Sequence, residues 1–264
     1  MPQYRLSIDD NIRVFQDLAA KPYTSLFEND YLKLLRSLHE EFGSKIQLNI
    51  YYEEKDFRLT EMPDRYKPEW EAASDWLRLS FHARSNDTRY KDCDYSTMHE
   101  DCSAVHREIL RFAGEKSLSY FTTIHYVACP KEGVEALRDC GIKGLVGLYG
   151  SEEKPRIPYH LSEAVSSYMR KHCFYTDTET GMLFMRNDIV LNEHNAEAIL
   201  PILETRIGNP FIEVMIHEQY FYKDFRRYLP DFACRLRTSV KYLTDAGYTP
   251  AFFEDVLHCP QCIP

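Results

Sequence analysis

The sequence predicts an α/β fold: a distorted (β/α) barrel of about seven parallel strands, in one domain over residues 1–264. Three observations carry this. Strand-patterned and helix-patterned segments alternate along almost the whole chain, and such alternation means parallel strands joined by right-handed crossovers. A length of 264 residues suits one barrel without a second domain. No glycine-rich phosphate loop follows the first strand, which sets aside the doubly wound open sheet.

The elements follow in order. Residues 4–8 read as the first strand and end on Asp9 and Asp10. Leu34, Leu35, Leu38 and Phe42 recur at helical spacing behind Asn29, a plausible cap, and Gly43 ends the run. Residues 46–52 form a strand. The acidic and aromatic stretch 51–70 is long for a loop and is placed over a pocket. In the strand 77–82, Leu77, Leu79 and Phe81 alternate with Arg78 and Ser80. Met98, Cys102, Val105, Ile109 and Phe112 step into a helix closed by Gly114. A strand covers 121–126, and Val134, Leu137 and Cys140 mark a helix stopped by Gly141. Strand 145–149, a polar loop with Pro155 and Pro158, helix 161–171 and a short strand at 182–185 come next. Ala196, Ile199, Leu200 and Leu203 form a helical stripe before strand 212–216. The last helix carries Phe232, Leu236, Val240 and Leu243, with Pro230 at its first turn and Gly247 at its stop. Residues 251–253 are read as a final short strand.

Composition is that of a globular protein, 44% hydrophobic and 28% charged. A net charge of −9 argues against a nucleic-acid groove, which needs clustered Lys and Arg. No stretch approaches the ~20 apolar residues of a membrane span, and no signal-peptide pattern opens the chain. The 8 cysteines are scattered and read as free thiols, which places the chain in the cytoplasm. Cys259-Pro-Gln-Cys262 lacks a second pair at zinc-ribbon spacing and reads as a frayed tail. With 19 Tyr and 15 Phe, the chain is rich in rings that fill cores and also stack on sugars, which favours a carbohydrate-like ligand.

In a barrel, polar residues where strands end converge on one mouth. Here those residues are Asp9, Asp10, His82, His125 and His217, with Asn187 and Asp188 after the strand at 182–185. Neighbouring side chains on a strand point apart, so Asp9 and Asp10 reach one pocket only if the backbone turns there. One can then hold a metal and the other handle a proton. His and Asp together offer nitrogen and oxygen donors suited to zinc or a related divalent ion. Arg186 is a cation that can enter the mouth, with Asp188 beside it, and both are candidates for substrate binding. Trp70 and Trp76 flank the segment leading to His82, as a sugar-stacking lip or as packing. His99 and His106 share a helix face and read as a surface pair.

The order and spacing of these residues resemble the polysaccharide deacetylase family, the NodB homology domain, along nearly the whole chain. Ser7-Ile8-Asp9-Asp10-Asn11-Ile12 stands where that family has Thr-Phe-Asp-Asp-Gly-Pro. His82-Ala-Arg-Ser-Asn86 keeps the spacing of its two-histidine motif, with Asn86 in place of the second His. Thr122-Thr-Ile-His125-Tyr126 leads into a helix and Gly141 where the family has Arg-x-Pro-Tyr-Gly. Met215-Ile216-His217 matches its Leu-x-His. The resemblance implies Asp9 as general base, a divalent metal (zinc first) on Asp10, His82 and Asn86, and His217 as general acid. His125 would take over a role of the missing Arg or Tyr. It implies hydrolysis of an N-acyl or related C–N bond in a carbohydrate or other small molecule, with no nucleic-acid or membrane partner. Asn86 and the altered third motif fit a second reading, a barrel that has lost hydrolysis and binds a ligand or regulates. The oligomeric state stays open.

Overall fold

A computed structural model of the chain describes residues 1–256. Cys259 and Cys262 lie outside the described residues. The N-terminal strand β1 (Gln3–Asn11) is the centre of the larger sheet. It pairs with β11 (Phe211–His217) on one side; on the other it pairs with β12 (Thr249–Pro250) at its start and with β2 (Ile46–Tyr51) from Leu6 onward. β5 (Leu77–Ala83) extends the sheet beyond β2, and β10 (Ile189–Val190) extends it beyond β11. Every pairing here is parallel. The second sheet runs β6 (Phe121–Thr122), β7 (Gly144–Gly147), β9 (Leu183–Arg186) and β8 (Phe174–Thr176), with only β8 antiparallel to its neighbour.

The two sheets face each other as arcs of a distorted barrel. Between β5 and β6 the ladder shrinks to a parallel bridge, Leu79 to Leu118. Past β9, the Asn187 N–H donates to Gly147 O and the Asp188 N–H to Glu213 O, each at 3.0 Å. The ladder is interrupted at both joins, so the expected barrel is present in open form among the described residues.

Helices fill the crossovers. Asn29 caps α2 (Asp30–Phe42): its Oδ1 accepts from the N–H groups of Tyr31 and Leu32 at 3.0 and 3.1 Å. Gly43, at φ 67°, ends that helix in the left-handed conformation that glycine enters without steric cost. Two helices fall where the sequence pattern showed none. α1 (Arg13–Ala20) is short, and its N-terminus is capped from across the chain. The buried Glu218 carboxylate accepts from the N–H groups of Ile12, Arg13 and Val14 at 2.8, 3.0 and 2.7 Å. That contact ties the end of β1 to the end of β11. α3 (Lys67–Ala73) begins inside the stretch expected to be a long loop and runs past its end, and that stretch also holds a hairpin of β3 (Glu53–Glu54) and β4 (Phe57–Arg58). The last strand expected over 251–253 lies two residues earlier, at Thr249–Pro250, and Phe253 opens a short helix, Phe253–Val256. Among the described residues no helix is long and apolar enough to cross a membrane.

Alternation sorts the central strands into two faces. Tyr4, Leu6 and Ile8 of β1 are fully buried, each buried aliphatic chain contributing ~1.5–3 kcal/mol. The opposite set on β1 is Arg5, Ser7 and Asp9, in register with Glu213, Met215 and His217 on β11. Gln47, Asn49 and Tyr51 continue this face on β2, and Ser80 and His82 on β5. The interior face of β1, β2 and β5 is therefore polar, it meets an apolar cluster that includes Phe121, Val146, Met185 and Met215, and its last layer is the mouth.

The tryptophans correct an expectation. Trp70 is fully buried between Phe15 and Phe112, at ring-centroid distances of 6.1 and 6.4 Å. Trp76 stacks on His39 at 4.7 Å and precedes β5, at the opposite end of that strand from His82. Neither forms a lip over the mouth, because both bury large apolar rings in the helix layer. His106 also departs from expectation: it is buried on α4 (Tyr95–Phe112), not on the surface.

Candidate active site

The backbone turn that the Asp pair requires is present. Asp10 has φ 63°, and the β1–β2 register shifts between Ile8 and Asn11. This break lets two consecutive carboxylates reach one cavity. Asn11 pins it, donating from Nδ2 to Ile8 O at 2.5 Å and to Asn49 O at 3.0 Å.

Asp10 is the hub. Its Oδ1 meets His82 Nε2 at 3.0 Å and His125 Nδ1 at 3.4 Å, and the Tyr51 hydroxyl donates to the same oxygen. Gln219 Nε2 donates to Oδ2 at 2.6 Å. Burial works against ionisation of Asp10. The charge of His217 and the close approach of the His125 and His82 rings outweigh it and hold the carboxyl well below its ordinary value. Burial and the Asp10 charge raise the Tyr51 phenol well above its own, so Tyr51 stays a donor.

The far nitrogen of each imidazole is engaged by a carbonyl. His82 Nδ1 meets Thr123 O, and His125 Nε2 meets Asn86 O at 3.0 Å. A carbonyl only accepts, so both nitrogens carry the proton there. The lone pairs of His82 Nε2 and His125 Nδ1 then face the Asp10 carboxylate. Ligand atoms from the three residues all lie within 4.8 Å of one another. Acceptors gathered round a common point suit a cation, and two neutral imidazoles with one carboxylate suit a divalent ion.

This donor set revises the expected one. Asn86 is exposed and enters through its backbone carbonyl, behind His125, instead of as the third ligand. His125 offers the third donor in its place. It reaches inward because β6 stops at Thr122 and the chain turns through Tyr126 and Val127, at φ 62° and 48°. The strand expected over 121–126 would have carried His125 along the barrel wall.

Asp9 and His217 stand beside the donor set, paired in register across β1 and β11. Asn49 Nδ2 donates to Asp9 Oδ1 at 2.6 Å. Burial pushes the Asp9 carboxyl up to about 7, against the pull of His217 and the Asn49 hydrogen bond. His217 is oriented by Asn192, whose Oδ1 lies 2.8 Å from its Nδ1 and 3.1 Å from its backbone N. The proton is therefore on Nδ1, and Nε2 is left free. Asp9, Asp10, His82, His125 and His217 line one cavity of about 770 Å³, within the range that takes small ligands. Thr123 Oγ1 and Gln219 Oε1, from two residues of that lining, are buried without a hydrogen-bond partner among the described residues.

Two expected substrate contacts are placed elsewhere. Arg186 and Asp188 pair with each other at 2.7 Å in the wall between the sheets. Arg186 also donates to Arg170 O, and Asp188 accepts from the Glu213 N–H. They brace the join between β9 and β11 and are not part of the cavity lining. The sequence reading missed Tyr51, Asn49, Asn192, Glu218 and Gln219. One signal was available: Gln47 and Asn49 interrupt a strand that lies inside a parallel sheet, where an apolar run is the rule.

No family model matches the sequence, and no curated protein matches it. Solved structures do. A CE4 family pseudoenzyme from Bacillus anthracis aligns with TM-score 0.53 and 10% identity, over 97% of this chain and 66% of that one. The chain thus spans about two thirds of that protein's length. A family 4 acetyl xylan esterase from Clostridium thermocellum, solved with a cobalt ion, aligns with TM-score 0.54 and 10% identity, over 97% and 90%. A 4-alpha-glucanotransferase from Thermococcus litoralis aligns with TM-score 0.60 and 13% identity, over 97% of this chain but 40% of that one. At such identities the likeness is one of fold, and this chain carries, in divergent form, the barrel fold of the CE4 polysaccharide deacetylases.

Proposed function

We propose that this chain is a metal-dependent hydrolase of an N-acyl or related C–N bond in a carbohydrate or other small molecule. The observation that carries the reading is the juxtaposition of Asp10, His82 and His125 with Asp9 and His217 in one cavity. Asp10, His82 and His125 would hold the ion, zinc by the character of the donors. A divalent ion in such a site polarises an acyl carbonyl and acidifies water.

The remaining work falls to the chain's own groups. Asp9 takes a proton from the attacking water as its oxygen bonds to the acyl carbon. A carboxyl raised to about 7 is a base matched to neutral pH. The C–N bond then breaks, and His217, which must enter this step carrying a second proton on Nε2, delivers that proton to the leaving nitrogen; the proton held by Asp9 restores it, giving a free amine and a carboxylic acid. Asn49 keeps Asp9 aimed, and Asn192 fixes the His217 tautomer. We also place the protein in the cytoplasm, on the scattered cysteines of its sequence.

One observation favours the second reading, a barrel that binds without hydrolysis. The Tyr51 hydroxyl is bonded inside the donor set, to Asp10 and, at 3.0 Å, to His125 Nδ1. A fourth protein oxygen there leaves less room for water and substrate, as in closed structural sites. The test is a screen of N-acetylated amino sugars and other N-acyl compounds with zinc, repeated on Asp9→Asn and His217→Ala. Each variant is expected to lose ~10²-fold or more in kcat with its fold intact. Unchanged turnover in both places the chemistry elsewhere. Ligand binding with no turnover in the parent selects the second reading.

A further inference from the structure

We propose that the ligand of this cavity carries an anionic group, a carboxylate or a phosphate, held by Arg156, Arg226 and Arg227. The inference builds on the hydrolase reading by naming its substrate class.

These three arginines line the same cavity as Asp9, Asp10 and the three histidines. They arrive from separate parts of the chain. Arg156 sits on the loop after β7, held by its backbone N–H on Tyr149 O at 3.0 Å. Arg226 and Arg227 follow the turn Glu218–Phe221 that leaves β11. All three are exposed, and among the described residues none is paired with a carboxylate. Arginines close by behave differently: Arg13 pairs with Asp224 at 2.7 Å and Arg235 with Asp231 at 2.9 Å. The chain has 41 acidic residues against 32 Lys and Arg, so partners are plentiful. Three unpaired guanidinium groups on one rim are therefore a local arrangement that runs against the overall charge.

The acidic residues of the cavity do not account for them. Asp10 already accepts from Tyr51 and Gln219 and is flanked by the two histidines. Asp9 is buried and already accepts from Asn49. Glu193 is the remaining carboxylate of the lining, one against three cations. Arg227 is steadied over the Tyr220 ring at 5.4 Å, which presents its planar fork and leaves its N–H donors free. Forked donors at a rim are the usual means of recognising carboxylate and phosphate. An acylated amine would thus place its amide at the floor and its anionic group at the rim.

The test measures calorimetric binding of three probes to the zinc-loaded protein: N-acetylglucosamine 6-phosphate, N-acetylmuramic acid and neutral N-acetylglucosamine. At low salt at least one anionic probe is expected to bind tenfold or more tighter than the neutral one. The preference should shrink as salt rises. It should fall by about tenfold in the double variant Arg226→Gln, Arg227→Gln, and further when Arg156→Gln is added. The phosphate and carboxylate arms say which group the rim prefers. Equal affinity for all three probes, binding of none, or an anionic preference that survives the triple variant each overturns the proposal. The exposed positions should leave the thermal transition unmoved, which separates lost binding from lost folding. Anion-selective binding without turnover would sink the hydrolase reading and leave this one standing. Equal hydrolysis of neutral and anionic probes would do the reverse.

Discussion

Two buried polar clusters share strands β1 and β11, a few residues apart, and they are built on opposite principles. At the floor, Arg5 forks onto Glu213 at 2.8 and 2.9 Å, Ser7 donates to the same carboxylate at 2.8 Å, and Arg5 also donates to Gln47 at 3.0 Å. Both charges are 0% exposed and each finds the opposite charge. At the mouth, the lone pairs of two imidazoles face a carboxylate, and a second carboxylate sits beside them. The floor is electrically complete. The mouth has an excess of acceptors and is completed from outside. Gln47 and Asn49 connect the two, through bonds of 2.6 Å from Gln47 to Asn49 and from Asn49 to Asp9. Being buried and charged does not by itself mark a site; a surplus of one kind of hydrogen-bonding atom does.

The strongest way to break this contrast is at the floor. Arg5→Met leaves Glu213 buried without its cation and should cost about 3–5 kcal/mol in urea unfolding. A cost under about 1 kcal/mol would mean the floor is not the closed unit described.

The mouth should show itself in the pH dependence of the zinc-free protein. Asp9 is raised from 3.8 to about 7 in the fold. Between those values the folded chain binds more protons than the unfolded one, so stability falls as pH rises through that window, by ~4 kcal/mol at most. Asp9→Asn should flatten the slope. Asp10 has the opposite sign: its lowered carboxyl contributes stability that is lost as pH falls, in a window below 3.8 that does not overlap. A parent and an Asp9→Asn variant with the same slope between pH 4 and 7 would remove Asp9 from this role.

Zinc sharpens the comparison further. At a hundredfold excess over Kd it should raise the unfolding free energy of the parent by about 2.7 kcal/mol. Arg5→Met should gain the same increment from its lower baseline, and Asp10→Asn should gain none. His125→Ala should weaken zinc by ~100-fold or more, read by calorimetry. The smallest effect is expected at Asn86→Ala, within about threefold of the parent, because its carbonyl and not its side chain meets His125. A large loss there would restore Asn86 as a ligand.

Much of this was legible from the residues, for a physical reason. Strand alternation and helical spacing report burial, and burial follows the fold, so β1, β2, β5 and β11 fall close to where the pattern put them. The Asp pair and His82 could be read because they sit on those strands. His125 could be named but not given its role, because its position depends on positive φ at Tyr126 and Val127, which no glycine announces. α1 escaped notice because its cap, Glu218, lies more than two hundred residues away in the chain. The Trp residues were ambiguous for a different reason: a ring that can stack on sugar is equally good at filling a core, and spacing does not separate the two.

The central place of β1 bears on how the molecule assembles in time. The strand made first must wait for β11 and β12, whose partners to Leu6 and Tyr4 are Val214 and Pro250. Until then it can pair with β2 alone, leaving one row of N–H and C=O groups open to any other extended chain. Contacts so distant in sequence make for slow folding and a long exposed intermediate. Asp9 and His217 are register partners, so the pair proposed as base and acid closes in the same event that seals this edge. A chain that acquires the proposed activity has therefore completed its slowest pairing, and the appearance of activity during refolding would serve as a clock for it.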